Sequence, residues 1–295
     1  MNRTLDTGQN DLENRLLATV RQEGITPEAI ALFRELICLH YREYGRDLPW
    51  RRTTDPYRIL VSELMLQQTQ VDRVVPKYEA FIGRFPDFAS LARAPLSDVL
   101  AAWQGLGYNR RAIALQKTAE RVVHEFEGAL PADVETLTTF PGIGPATAAA
   151  IAAYAFNLPV VYIETNIRRI FIHFFFEDRE GVRDEELLPI IDQALLRDDP
   201  RTWYSALMDY GTVLSKRTVN PNRRSAAYTV QSRFEGSDRQ LRGRVLALLL
   251  KEGALAEEEI VRHLGEDPGR VSRILGRLEA EGFLARDGGR ITLCR

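Results

Sequence analysis

Cysteine is nearly absent from this 295-residue chain, which carries only Cys38 and Cys294. The two stand far apart, in no CxxC or Cys/His spacing. That argues against a disulfide framework and a thiolate metal site, and two thiols are expected. Long hydrophobic runs are missing as well. No stretch approaches the ~18 to 20 apolar residues of a membrane span, and the N-terminus MNRTLDTGQNDLENRL is polar and acidic, unlike a secretory signal. A cytoplasmic protein with no membrane partner is therefore expected. Nor is there a surplus of charge: 39 Lys and Arg face 41 Asp and Glu, a formal charge of −2. Net charge thus gives no reason to expect nucleic acid. Period-2 alternation is almost missing before residue 280, which argues against a β-rich fold for most of the chain.

Helical periodicity fills the space. With 45% hydrophobic content, the chain can bury one large core or two to three smaller ones. Residues 1–25 read as a polar extension with a short helix at Leu12 to Glu23. From Pro27 to Tyr44 the apolar positions Ile30, Leu32, Phe33, Leu36, Ile37, Leu39 and Tyr41 mark an amphipathic helix, and Arg46 to Pro56 is a loop. Helical patterns follow at about 57–70, 71–84, 88–93, 96–104, 109–127, 133–138, 144–156, 165–174, 184–194, 200–215 and 238–251. The tail changes character. Helices at Arg239–Leu250, Glu257–Leu264 and Gly269–Glu281 precede strands at Phe283–Arg286 and Arg290–Cys294 around Asp287-Gly288-Gly289, the order of a winged helix-turn-helix. On its third helix Arg270, Arg273 and Arg277 share a face expected to meet a DNA phosphate or groove, with a solvated or protein-packing surface as the alternative. Charge is also uneven: Lys216, Arg217, Arg223, Arg224, Arg233, Arg239, Arg242 and Arg244 face only Glu235 and Asp238. Such a local stripe suits phosphate, although solvated linkers share it.

Three motifs carry chemistry. SELMLQQTQV (62–71) sets Glu63 near the start of an apolar, helix-like run; on its own it reads first as a surface acid at a helix N-terminus. FPGIGPATA (140–148) places Gly142 and Gly144 before an Ala-rich helix, a helix-hairpin-helix geometry in which backbone amides meet an anion. In VVYIETNIRR (160–169) an apolar approach delivers Glu164 at a helix start, with Asn166 beside it. Two acids in apolar settings permit glycosidic cleavage: one protonates the leaving group, the other stabilises positive charge on the sugar.

LPWR (48–51), SELMLQQTQV, GLGYNRRA (105–112), FPGIGPATA, ETNIRR (164–169) and ALMDYG (206–211) resemble, in order and spacing, the helix-hairpin-helix DNA glycosylases and, within them, the MutY-type adenine glycosylases. The resemblance runs from about residue 27 to 215. It implies a mostly α fold: a discontinuous helical subdomain (26–50 plus 160–236), a six-helix barrel subdomain (51–159) and a small α+β winged helix domain (237–295). It further implies that Glu63 is the catalytic acid, Glu164 the carboxylate stabilising the oxocarbenium-like sugar, and Asn166 its neighbour. Trp50, Arg51, Leu66, Ala146 and Asp209 would belong to the base pocket. Gln68, Thr69, Leu106, Tyr108, Gly142 and Gly144, with Arg270, Arg273 and Arg277 of the tail, would face DNA.

The departures from the family are equally informative. Ala146 stands where bifunctional relatives carry a lysine nucleophile, so strand cleavage through a Schiff base is not expected. Glu164 replaces an aspartate. Ser215, Asn222, Ser225 and Gln231 fall near the spacing of four cluster-binding cysteines, so no iron–sulfur cluster and no metal or other cofactor is expected. The usual domain that inspects 8-oxoguanine gives way to the winged helix. The expectation is a monomeric, monofunctional glycosylase in base excision repair, removing a flipped adenine mispaired with 8-oxoguanine or guanine in double-stranded DNA. Alternatives are a glycosylase for another base, such as thymine or uracil in mismatches or hypoxanthine, and a non-catalytic winged-helix DNA-binding regulator.

Overall fold

The computed structural model describes residues 7–294. The first six positions of the expected extension lie outside the described residues. The helices are α1 (Thr7–Glu23), α2 (Pro27–Tyr44), α3 (Pro56–Leu66), α4 (Val71–Arg84), α5 (Phe88–Ala92), α6 (Leu96–Trp103), α7 (Arg110–Glu125), α8 (Val134–Thr138), α9 (Pro145–Phe156), α10 (Thr165–Phe175), α11 (Asp184–Ala194), α12 (Pro200–Arg217), α13 (Asp238–Glu252), α14 (Glu257–Leu264) and α15 (Pro268–Ala280). Short strands β1 (Leu255–Ala256), β2 (Leu284–Asp287) and β3 (Arg290–Leu293) lie in the tail. The mostly α expectation holds. Among the described residues no helix is long and apolar enough to cross a membrane.

The chain divides into two compact units. Among the described residues the first comprises 7–59, 132–138 and 143–230, and the second 60–131, 139–142 and 231–294. This grouping differs from the expected boundaries. Residues 145–156 join the first unit, and the winged helix joins the second instead of standing apart.

In the first unit α2, α9, α10 and α12 build an aromatic core. Phe33 is fully buried, its ring 5.0 Å from Phe171, 5.7 Å from Phe174, 5.3 Å from Phe175 and 6.0 Å from Trp203. Helix α9 fits because its inward face is alanine, with Ala149, Ala150 and Ala153 buried in the same cluster. Helix starts follow the sequence: Thr26 accepts from the Ala29 amide ahead of Pro27, and Asp199 accepts from Thr202 ahead of Pro200. The expected polar extension is corrected here. Residues from Thr7 onward form α1, whose Leu12 and Leu16 are buried in the core, and a two-leucine stripe in a polar sequence suffices to dock it.

The second unit holds most of α3, helices α4 through α7, and the tail from residue 231. The sheet order is β1-β3-β2, antiparallel throughout, with Leu255 opposite Ile291 and Leu284 opposite Leu293. Gly288 and Gly289 both have positive φ, 55° and 80°, which a two-residue hairpin turn of this hand requires. Strand β1 went unpredicted, since two residues carry no readable period. Val245, Ile260, Val271, Ile274, Phe283 and Ile291 fill this small core.

Candidate active site

Helix α3 ends at Leu66 rather than continuing to residue 70, which moves Glu63 from a helix start to a last turn. The dipole at that end opposes negative charge, so helix electrostatics do not account for an acid there. Glu63 is half-buried between Ser62, Leu64 and Met65, all fully buried. The chain then turns through Gln68, whose φ of 53° is left-handed. Tyr108 of the GLGY loop is left-handed as well, with φ 47°. Such backbones cost roughly 1–2 kcal/mol each without glycine, so something must hold them.

Arg111 supplies the hold, and the sequence reading did not single it out. Its guanidinium donates to the carbonyls of Leu64 (2.8 Å), Met65 (2.9 Å) and Gln67 (2.5 Å), to Thr69 Oγ1 (3.1 Å), and to the carbonyls of Leu106 (3.3 Å) and Gly107 (2.9 Å). It thereby satisfies the C-terminal carbonyls of α3 and joins its turn to the GLGY loop. The group is 6% exposed, and burial brings its pKa down to about 10, still charged at neutral pH. The signal was present: Arg111 lies on one stripe of α7 with Leu115, Thr118 and Val122, all buried. The same loop holds two further residues expected at the DNA face. Leu106 is 3% exposed, its side chain packed inward. Thr69 turns its hydroxyl to Arg111 and to the Leu106 carbonyl. Gln68 and Tyr108 remain exposed at the surface.

The two hairpin glycines differ. Gly142 has φ +75°, and a Cβ there would lie 2.8 Å from the Ala114 Cβ; Gly144 has φ −82° and open space. Gly142 is thus required by the fold, while Gly144 precedes α9 with its surface clear, as close approach by a phosphate demands. Gly142→Ala is expected to destabilise the protein by more than the ~1–2 kcal/mol of the left-handed backbone, because Ala114 must also yield. A urea denaturation midpoint measures this.

In the first unit Glu164 caps α10, its Oε1 accepting from the amides of Asn166 (2.5 Å) and Ile167 (2.7 Å). Burial pushes its carboxyl above the ordinary value, against those amide bonds and the charges of Arg169 and Arg168. Its Oε2 accepts only a long bond, 3.3 Å, from the Asn166 amide group. Asn166 Oδ1 accepts from Arg169 at 2.7 Å, and its Cβ lies where any Cβ at Gly211 would fall, 2.7 Å away. The DYG sequence of α12 therefore lets the backbone approach Asn166 closely.

Asp209 sits in the same helix, 2% exposed. It accepts from the Arg46 amide (2.8 Å), Arg46 Nε (2.6 Å) and both Arg51 terminal nitrogens (2.8 Å each). Every face of the carboxylate is occupied by the 46–51 segment, so Asp209 anchors the loop that carries the buried Trp50. Burial would raise its carboxyl, but the Arg51 hydrogen bonds and the Arg51 and Arg46 charges hold it below the ordinary value. Ala146 is exposed in the first turn of α9, and Leu66 is half-buried at the end of α3.

An iron–sulfur cluster does not suit the residues at its family position, since thiolates are its ligands. Ser215 donates to the Thr212 carbonyl, Asn222 is buried and donates to the Thr165 carbonyl, Ser225 accepts from Ala227, and Gln231 donates to Gln68. Among the described residues no cluster of His, Cys, Asp or Glu could hold a metal ion. The α15 arginines are unequal. Arg270 is paired with Asp238 and Glu266, at 3.0 and 3.2 Å, and Arg277 approaches Asp238 at 3.6 Å. Arg273 is exposed. Pairing within the domain lowers the charge that this face can offer to phosphate.

Residues 61–188 match the model of the HhH-GPD superfamily base excision DNA repair protein. An adenine DNA glycosylase of Mycolicibacterium smegmatis is 36% identical over 278 residues, covering 86% of this chain and 93% of that protein. A thymine/uracil-DNA glycosylase of Pyrobaculum aerophilum is 35% identical over 165 residues, 55% of this chain and 70% of that one. The solved structure of a thermostable thymine-DNA glycosylase superposes with a TM-score of 0.56 at 25% identity, covering 62% of this chain and 85% of that chain. Similarity over most of both chains to an adenine-directed member, together with the superfamily match around the hairpin, assigns the chain to the HhH-GPD superfamily of base excision DNA repair glycosylases and, within it, to the adenine DNA glycosylase family.

Proposed function

We propose that this protein is a monofunctional DNA N-glycosylase that excises a flipped adenine mispaired with 8-oxoguanine or guanine, acting as a monomer and without an iron–sulfur cluster. One observation carries the reading. The candidate acid Glu63 and the exposed Gln68 ride on one short element, the last turn of α3 and the turn after it, which Arg111 bolts to the Tyr108 loop. Excision needs this arrangement. A side chain must fill the gap that the flipped base leaves, and an acid held at a fixed distance from that gap must meet the base.

In this mechanism the Glu63 carboxylic acid protonates the adenine ring. The N-glycosidic bond then breaks with its electron pair leaving on the base. Glu164 stabilises the resulting positive charge on the sugar through its Oε2, since Oε1 is committed to the two amides. Water adds to the sugar and its proton returns to the Glu63 carboxylate. Ala146 offers no amine, so the strand stays intact. Asp209 and Arg51 hold in place the loop that carries Trp50.

Single-turnover release from duplexes with A opposite 8-oxoguanine, A opposite G, T opposite G, U opposite G and hypoxanthine opposite T tests the assignment. Adenine-only release is expected; release of thymine or uracil alone would reassign the pocket, and binding without release would point to a regulator. The pH profile adds a check on Glu164. A carboxyl raised by burial loses its charge, as pH falls, earlier than an ordinary glutamate. Under subsaturating conditions, which report the free enzyme, the acid limb should therefore set in above the ordinary carboxylate range of about 4.3 and should move in Glu164→Asp.

A further inference from the structure

The segment that leads into the winged helix does not merely connect. Within the second unit, Gln231 Nε2 donates to Gln68 Oε1 at 3.0 Å and also to the Tyr108 hydroxyl. From the first turn of α13, Arg239 donates to the same hydroxyl at 2.6 Å and lies 5.7 Å from the Tyr108 ring centroid. Its other terminal nitrogen fixes the Ser232 carbonyl at 2.6 Å. The placement of α13 is itself secured: Glu281, at the end of α15, accepts from Arg110 of α7 (2.6 and 2.7 Å) and from Arg242 of α13 (3.0 Å to one oxygen and 2.5 Å to the other). The hydrogen bonds and charges of these arginines bring the Glu281 carboxyl down to about 2, so the fork stays ionised at neutral pH. Two side chains on left-handed backbones, fixed from beneath by Arg111, are thus also held at their tips by the tail.

We propose that Gln231 and Arg239 complete the DNA-reading wedge, positioning Tyr108 and Gln68 for insertion beside the excised base and so making the C-terminal tail part of lesion recognition. The inference rests on the glycosylase reading above. The chemistry favours reading over latching. The tail's polar contacts reach the Tyr108 hydroxyl and the Gln68 side-chain carbonyl oxygen, with Arg239 also beside the Tyr108 ring. They leave the Gln68 amide nitrogen and the Tyr108 hydroxyl proton able to donate. Arg239 adds a cation beside an aromatic, the pairing on which bases stack and phosphates settle.

The test uses the full chain and two 25-mer duplexes, one with a non-hydrolysable 2′-fluoro-adenosine opposite 8-oxoguanine and one fully paired. Dissociation constants are measured for the native protein, Arg239→Ala, Arg239→Lys, Gln231→Ala, Tyr108→Phe and the Arg239→Ala/Tyr108→Phe double variant. The ratio of lesion to paired affinity should fall about tenfold in Arg239→Ala. Arg239→Lys should restore it only in part, because an ammonium cannot hold Ser232 and Tyr108 together. The double variant should lose less than the product of the single losses, since Arg239 acts through the Tyr108 hydroxyl. Glu281→Gln, which loosens the fork at a distance, should lower the ratio in the same sense. Equal losses on both duplexes would make Arg239 a plain phosphate contact, multiplicative losses would uncouple it from Tyr108, and tighter binding would make the tail a latch; each overturns the proposal. Adenine release by the native protein is scored separately on a hydrolysable duplex, so an unaffected ratio with normal release defeats this inference alone, and absent release defeats the glycosylase reading.

Discussion

Glu63→Gln should lower single-turnover adenine release by about 10²–10⁴-fold while leaving affinity for the mispaired duplex within roughly threefold of native. The substitution keeps the length and shape of the side chain and its ability to hydrogen-bond, and removes only the transferable proton. The loss should thus fall on chemistry rather than binding, and a rate plateau reached at saturating protein separates the two. Retained turnover in this variant would remove Glu63 from the acid's role.

Asp209→Ala should be the most destabilising single change among the site residues, by about 3–5 kcal/mol, equivalent to a fall of roughly 10 °C in the thermal midpoint. The cost comes from what is left behind. Arg51, with only 13% of its side chain exposed, would lose both carboxylate oxygens, and the Arg46 amide and guanidinium would lose theirs. Remaining acceptors for Arg51 are the Arg46 and Ser205 carbonyls, which do not neutralise its charge. The pH dependence carries a sign. The Asp209 carboxyl is depressed in the folded state, so its contribution is fully present above the unfolded value of about 3.9 and is lost as pH falls through the lower folded one. Native protein should therefore resist acid unfolding better than Asp209→Ala only above that window, and the two should converge below it. A difference that persisted at the lowest pH would assign the effect to packing instead of charge.

The helices were legible in the sequence because their apolar stripes are long and their caps are standard: Thr26, Asp199, Ser237 and Asp267 each accept the amide that their position calls for. The end of α3 was not, since nothing local announces that Gln68 turns left-handed; the cause is Arg111, some forty residues away. A buried arginine whose partners are carbonyl oxygens leaves no charge pattern to find, only its place on the apolar stripe of α7. Helix α1 was obscured by polar composition around Leu12 and Leu16. Of the candidate site, Glu63, Glu164, Asn166 and the hairpin glycines could be named from motif order. The role of Asp209 could not, because its partners Arg46 and Arg51 lie over a hundred and fifty residues upstream. Likewise the meeting of Gln231 and Arg239 with Tyr108 is a product of tertiary packing. On the α15 face Arg270 is paired with Asp238 and Glu266, while Arg273 stays exposed.

The central claim is adenine excision by a carboxylic acid in a chain with no amine at position 146. Single-turnover reaction on a duplex holding adenine opposite 8-oxoguanine, with free adenine and strand breaks counted on the same samples before and after alkali, tests it most directly. Free adenine should accumulate with no break until alkali is added, and neither should form with Glu63→Gln. Breaks without alkali, or adenine released undiminished by the variant, would contradict the account.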